Sequence, residues 1–318
     1  MMKKVILLFA LIILFTAQSF EKAHAGIISD WKANKAIEKE LKLTQKEIEN
    51  LFELQTLYTN TQKHDKLKQF YSEKYHNSDA FDKNTTFSII KENYELYPNL
   101  VVTLDINNIN ISGNYATVDV FEYAEAKDIK RDDVDLTGKL EAFAHTIYYL
   151  EKTDDNWLII AEHALEENNS VVFGEAQYLD LKLTAPMIIG AGDEYTSKLE
   201  INNLPRKALV MGSITQTPAT FPLEDEEQEN FRVIEDLSLE RIFVANNQNT
   251  NEYNIASIGI TRGQPIPNGN VKLYLSGLAF VMTRVNVIPE NTLYKKAEPQ
   301  TETEDDDDDK DVEDENNA

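Results

Sequence analysis

The 318-residue sequence contains no cysteine. This absence excludes disulfide bonds, a cysteine nucleophile, a thiolate metal site and a lipid-modified cysteine behind a signal peptide. Stability must therefore come from a hydrophobic core, and a chain of this length can bury one. The length suffices for about two domains.

Basic residues are also scarce, with 31 Lys and Arg against 55 Asp and Glu and a net charge of −24. Such a chain repels phosphate backbones, so we predict no nucleic-acid partner. Four signatures are missing: the G-x-S-x-G elbow, the P-loop, G-x-G-x-x-G and H-E-x-x-H. We predict no cofactor and no metal site.

The N-terminus has the three parts of a secretory signal peptide. Met1-Met-Lys-Lys4 is basic, Val5–Ala17 is apolar, and Ala23-His-Ala25 is a small-residue cleavage pattern. The apolar run has about 13 residues, fewer than the roughly 20 of a spanning helix. We therefore predict cleavage between Ala25 and Gly26 and no stable membrane insertion afterwards. The abundance of lysine over arginine indicates a bacterial source and a periplasmic or extracellular protein.

Helical patterns come first in the mature chain. Thr44-Gln-Lys-Glu47 fits a capping box that would start a helix at Thr44. A further helix is expected from Asn84 or Thr85 to Tyr97, where Pro98 ends it.

Alternating strands follow from Leu100 to Ala164. Val118 and Val120 alternate with Asp119 and Phe121, and turn residues interrupt the strands at Ser112-Gly-Asn114 and Lys152–Asn156. Helices followed by an antiparallel sheet predict an α+β fold.

The last hairpin carries a family resemblance. Phe143-Ala-His-Thr-Ile-Tyr-Tyr-Leu150 leads to a polar turn and then to Asp155-Asn-Trp-Leu-Ile-Ile-Ala-Glu-His163. This pattern resembles the closing strands of the nuclear transport factor 2-like superfamily, which includes SnoaL-like and ketosteroid-isomerase-like proteins, over about residues 41–170. The resemblance implies a cone, in which a curved sheet and helices enclose a pocket, and a homodimer through the cone sheet.

From Phe173 onward the pattern is of short strands and turns, which predicts an Ig-like β-sandwich. Past Asn291 the chain becomes strongly acidic, with five consecutive aspartates at Asp305–Asp309, and this composition predicts disorder. The predicted organisation is a signal peptide (1–25), an α+β cone (26–172), an all-β Ig-like sandwich (173–292) and a disordered acidic tail (293–318).

Candidate site residues are those that the cone would direct toward its pocket. We predict His145, His163 and Glu162 as a candidate catalytic acid–base set, because the enzymes of the family use a carboxylate or histidine as a base. Simple alternation would put His163 on the face of Trp157 and Ile159 and turn Glu162 outward. The predicted ligand-pocket residues are Tyr123, Tyr148, Trp157, Phe143 and Asp119.

These observations lead to two hypotheses about function. The first is an exported, non-enzymatic binding protein whose cone pocket holds a small apolar ligand or an unknown protein partner, with the sandwich as a docking module. The alternative is a SnoaL-like or ketosteroid-isomerase-like enzyme that transfers protons on a small hydrophobic substrate. An enzyme requires a buried, convergent acid–base set, whereas a binding protein requires only an apolar lining.

Overall fold

The computed structural model describes residues 35–131, 134–222, 230–234, 237–267 and 269–289. The predicted signal peptide (1–25) and acidic tail (293–318) lie outside these residues. Within the described ranges, no helix combines the length and apolarity needed to cross a bilayer.

Helices and one short strand precede the main sheet. Helix α1 covers 35–60, and helix α2 (His64–Leu67) continues as a 3-10 turn into strand β1 (Tyr71–Asn77). Helix α3 (Lys83–Leu96) begins after Asp82, whose side chain accepts a hydrogen bond of 2.8 Å from the backbone N–H of Thr85. Helix α1 runs through Thr44, so the expected helix start at that residue is wrong.

Four long strands come next: β2 (Val101–Ser112), β3 (Tyr115–Arg131), β4 (Val134–Thr153) and β5 (Asn156–Gly174). The predicted turns are confirmed, because Gly113, Asp154 and Asp155 take the positive φ values that tight hairpin turns require.

The described part of the remaining chain contains eight further strands. They are β6 (Asp180–Thr184), β7 (Ile188–Gly190), β8 (Glu194–Asn202), β9 (Ala208–Pro218), β10 (Arg232–Val233), β11 (Ser238–Val244), β12 (Glu252–Pro265) and β13 (Val271–Ile288).

Ten strands form one sheet that extends through both halves of the chain. Its order is β10-β9-β12-β13-β5-β4-β3-β2, with β1 added beside β5 and β7 beside β13. Strand β5 joins the halves, since it pairs with β4 along its length, while its other side pairs with β1 in its first part and with β13 at Asn168–Gly174. A second, three-stranded sheet has the order β11-β8-β6.

The two faces of the long sheet are covered by different elements. The helices cover what we call the inner face, where Ile48 and Phe52 of α1 pack on Val118, Tyr148 and Leu150. The small sheet covers the opposite, outer face at the other end, where its Leu183, Leu199 and Ile201 pack on Val281 and Ile258. Hydrophobic burial on opposite faces thus stabilises the two ends of one sheet.

The predicted fold class, an α+β cone followed by a separate Ig-like sandwich, is wrong. Strands account for 59% of the protein and the large antiparallel sheet does not stop between the halves. The physical reason is the length of the strands, because β5 has 19 residues and can pair with both ends of the sheet. The predicted boundary between residues 172 and 173 falls inside this strand.

Candidate functional site

Two bulges in β5 determine which of its side chains face inward. In the pairing with β4, Leu150 opposes Ile159 whereas Tyr149 opposes Ala161, so Ile160 is an extra residue. A second shift makes Leu165 extra. A bulge reverses the alternation of the strand that contains it. Glu162 therefore lies opposite Tyr148 on the inner face, and His163 lies on the outer face, the reverse of simple alternation.

Glu162 shares a small cavity on the inner face with Glu122 of β3. The cavity has a volume of about 120 Å³ and is also lined by Asp79, Thr146, Tyr148 and Glu167. The Tyr148 hydroxyl donates a hydrogen bond of 2.8 Å to Oε1 of Glu122. Carboxyl groups from β3, from β5 and from the loop after β1 are thereby brought into one polar enclosure.

Burial favours the protonated form of both carboxyl groups. It raises the pKa of Glu162 from 4.5 to about 8, although the nearby Tyr75 hydroxyl favours the charged form. The negative charges of Glu122, Glu167 and Asp79 raise that pKa further. Burial also raises the pKa of Glu122, while hydrogen bonds from Tyr148 and Thr146 act against it. Two like charges in one enclosure are unfavourable, which adds to the effect of burial in favouring the neutral forms.

One side of this cavity is closed by a buried ion cluster around Arg284 of β13. The Arg284 side chain is 0% exposed and forms a bidentate salt bridge with Asp79, at 2.5 Å to Oδ1 and 3.0 Å to Oδ2. The same guanidinium lies 3.0 Å from Oε2 of Glu167, which also accepts a hydrogen bond from Tyr253. Burial alone would lower the pKa of Arg284, but the hydrogen bonds with Asp79 and the charge of Glu167 raise it.

This cluster attaches the loop after β1, which contains Asp79, to the C-terminal part of the long sheet. Asn251, itself buried, donates a hydrogen bond of 2.8 Å to Asp79 and accepts one from the backbone of Val287. Among the described residues, no group of three or more His, Asp or Glu side chains is arranged to hold a metal ion.

The outer face carries an aromatic row instead of a carboxyl cluster. The rings of Tyr123 and Phe143 lie 5.5 Å apart, and those of Phe121 and His145 lie 4.6 Å apart. His145 Nε2 is 2.7 Å from Oδ1 of Asp119, and both side chains are 25% exposed. These residues share one face because Tyr123 pairs with Phe143, and Phe121 pairs with His145.

A groove of about 480 Å³ lies on this outer face, between the aromatic row and the small sheet. Its apolar lining consists of Tyr123, Phe143, Leu181, Leu183, Ala185, Met187 and Val281, and its polar lining includes Glu141, Glu166, Asn168 and Lys182. This volume is within the range of small-molecule sites in proteins.

The structure divides the predicted site residues between the two faces. Glu162 and Tyr148 line the inner cavity, whereas Tyr123 and Phe143 line the groove. Asp119, His145 and His163 also belong to the outer face, so the three proposed catalytic residues do not converge on one cavity. Trp157 is 6% exposed within the inner core and lines neither space. Burial lowers the pKa of His163, and the charge of Arg284 adds to this effect.

Sequence reasoning missed the partners that complete the inner site. Arg284 and Asp79 are 205 residues apart, and no local pattern connects them. The sequence does carry a signal for Arg284, which is a charged residue among apolar residues near the end of β13. A charged residue buried in a strand needs a partner of opposite charge, although the sequence does not say which.

Comparison with known proteins identifies no family. No family model and no curated protein matches the chain. Similar solved structures include Bdellovibrio bacteriovorus Bd1075, at 18% identity and a TM-score of 0.31, over 37% of this chain and 39% of that one. An NTF2-like protein of unknown function from Pseudomonas putida KT2440 matches at 12% identity and a TM-score of 0.29, over 39% of this chain and 86% of that one. ActVI-ORFA from Streptomyces coelicolor matches at 11% identity and a TM-score of 0.28, over 38% and 92%. TM-scores this low support no argument about activity.

Proposed function

We propose that this protein is an exported, non-enzymatic binding protein whose ligand or partner occupies the outer groove. The observation that carries this proposal is a groove of about 480 Å³ with aromatic and aliphatic side chains on its floor and a few polar and charged side chains in its lining. A site that is mostly apolar, with a few polar groups for orientation, is the usual form of a ligand site. Met187 and Tyr123 remain 56% and 49% exposed and offer apolar surface to a ligand.

The inner side of the sheet is a poorer site for an apolar ligand. Side chains of helix α1 and strand β1 fill it, including Phe52, Tyr71 and Tyr75, which are at most 5% exposed. The remaining cavity of about 120 Å³ has room for about four water molecules and is lined by carboxyl groups. We therefore move the proposed ligand site from the predicted cone interior to the outer face.

Export is the second part of the proposal, and its support is the N-terminal sequence. Lys3 and Lys4, the following apolar run and Ala23-His-Ala25 together form a signal-peptide pattern. Native mass spectrometry of the protein from the extracellular or periplasmic fraction tests this part. A mature N-terminus at Gly26 is expected, and an intact chain in the cytosol would contradict export. The same spectrum reports whether the predicted homodimer through the sheet forms.

Binding by the groove is tested with Nile red, a neutral apolar dye, and the full mature chain. We expect the dye to bind with enhanced fluorescence and the Met187→Lys variant to bind it about five- to tenfold more weakly, since covering the exposed half of a methionine contributes about 1 kcal/mol. Leu96→Lys is the matched control, because Leu96 is 60% exposed on α3, away from the groove. Equal loss in both variants, or no dye binding at all, would contradict the proposal.

A second candidate function is acid–base catalysis in the inner cavity, which the pKa of about 8 at Glu162 favours. A carboxyl group that titrates near neutral pH can both donate and accept a proton. The test is NMR detection of deuterium incorporation next to the carbonyl of small apolar ketones in D₂O. Exchange that Glu162→Gln abolishes and Glu166→Gln preserves would support this function, and exchange at the rate of buffer alone would contradict it.

A further inference from the structure

One wall of the groove is the edge of strand β6. Five consecutive residues, from Leu181 to Ala185, line the groove. A strand that presents a face contributes every second residue, because successive side chains point to opposite sides. Residues 181–185 include both sides of this alternation, as do 141–143 and 168–170 of the groove floor, but β6 differs from those strands because one of its two edges has no strand partner among the described residues.

This edge carries no strand partner within the described part of the chain. Strand β6 pairs with β8 from Asp180 to Thr184 and is the last strand in the order β11-β8-β6. Five residues at about 3.3 Å each give an edge of about 16 Å. An open edge of this kind is a template for another extended chain.

The floor beside this edge suits the side chains of an added strand. Tyr123, Phe143 and Val281 of the long sheet form the apolar floor of the groove, and Met187 also lines it. An added strand would direct every second side chain onto this apolar floor and the others toward solvent.

The net charge of the chain, and not the lining alone, indicates the sign of the partner. The lining holds the carboxylates Glu141 and Glu166 and the cations Lys182 and Arg284. Arg284 is 0% exposed and already paired on the inner face, and Glu141 pairs with Lys139 at 2.7 Å on the exposed surface. The chain as a whole has a net charge of −24, so its surroundings also attract cations. The acidic residues of 298–318 in the same chain have the wrong sign for this groove.

We infer that the groove binds an extended, basic peptide segment of another protein by adding it as a fourth strand beside β6. This inference rests on the proposed binding role of the groove and specifies the class of ligand. Backbone hydrogen bonds to the β6 edge supply affinity, the apolar floor accepts alternate side chains, and Glu141 and Glu166 select lysine or arginine.

The test uses fluorescein-labelled peptides of about seven residues and fluorescence anisotropy with the full mature chain. One peptide alternates lysine with valine, a second alternates glutamate with valine, and two others repeat the first with N-methyl groups on all lysines or on all valines. The lysine–valine peptide is expected to bind, and more weakly as salt rises from about 20 to about 200 mM. The glutamate–valine peptide should bind about tenfold more weakly or worse.

The N-methylated peptides test strand pairing directly. One edge of a peptide carries the N–H groups of every second residue, so one of the two N-methylated peptides must lose the hydrogen bonds to β6. We expect that peptide to lose about tenfold or more in affinity, given about 1 kcal/mol per hydrogen bond. Binding that is unchanged by both methylation patterns would overturn the inference.

Variants of the groove lining test whether the peptide binds in the groove. The double substitution Glu141→Gln and Glu166→Gln should weaken lysine–valine binding by about two- to fivefold per carboxylate removed, as for exposed ion pairs. Glu92→Gln, on the exposed side of α3, is the matched control and should change nothing. Equal effects of the double variant and the control would overturn the inference.

The outcomes separate the inference from the function on which it rests. Nile red binding without peptide binding would overturn the inference and leave the proposed groove function intact. Failure of both ligands would overturn both. A dimer that forms through β6 and excludes the peptide would show that a second copy, and not a basic partner, occupies the edge.

Discussion

Replacing Glu162 by glutamine removes a carboxyl group that binds its proton more tightly in the folded protein than in the unfolded chain. Because the pKa of Glu162 rises from 4.5 to about 8 on folding, the folded state binds the extra proton between these two pH values. Stability from this group is complete below about pH 4.5 and is lost as the pH rises through about 8. Glutamine has a similar shape and cannot ionise, so the variant lacks this pH dependence.

The magnitude follows from the size of the pKa change. At about 1.4 kcal/mol per pH unit, a rise from 4.5 to about 8 corresponds to at most about 5 kcal/mol. Glu162 retains some solvent exposure, so we expect about 2–3 kcal/mol after screening. Glu162→Gln should therefore match the wild-type protein near pH 5 and exceed its free energy of unfolding by that amount at pH 9.

Urea unfolding followed by circular dichroism at pH 5, 7 and 9 measures this difference. Glu166→Gln is the matched control, because Glu166 lies on the same strand but on the outer face. Glu122→Gln should shift the loss of stability to lower pH, since the charge of Glu122 contributes to the raised pKa of Glu162. Parallel pH profiles for the wild-type protein and Glu162→Gln would refute the reasoning.

Two further predictions concern the stability of the fold. Arg284→Met should lower the free energy of unfolding by about 3–5 kcal/mol, because it leaves Asp79 buried without its cation. Lys198→Met, which removes a 39%-exposed cation, should cost less than about 1 kcal/mol, and an equal cost by urea titration would contradict the role of Arg284. Gly174→Ala should lower the free energy of unfolding by about 2–4 kcal/mol, because φ is +54° and an added Cβ would clash with the backbone carbonyl oxygen of Ser276 in β13. Gly113→Ala has a similar φ of +60° but open space, so thermal unfolding should show a loss of only about 1 kcal/mol.

Local patterns in the sequence predicted the strands and their turns well. Alternation at Val118 and Val120, and the turn at Gly113, are short-range properties that side-chain periodicity and backbone sterics determine. The partners of the strands are a long-range property. Nothing in the composition of β5 shows that, besides β4, one end pairs with β1 and the other with β13.

The candidate site was predictable only in part, and for the same reason. Glu162 was identified, but alternation placed it outward, because a bulge at Ile160 leaves no clear mark in an apolar run of residues. Asp79 lies in a polar loop and gave no signal of its burial against Arg284. The β6 edge became visible only when the strand order was known.

The pairing of Asp79 with Arg284 has a consequence for synthesis of the chain. The two residues are 205 positions apart, so a ribosome adding about 5–20 residues per second needs about 10–40 s to make the second after the first. During that interval the loop after β1 lacks its cation, and the end of β5 lacks the strand that will lie beside it. The N-terminal half therefore emerges first but cannot reach its final form until β13, the last described strand, has been made.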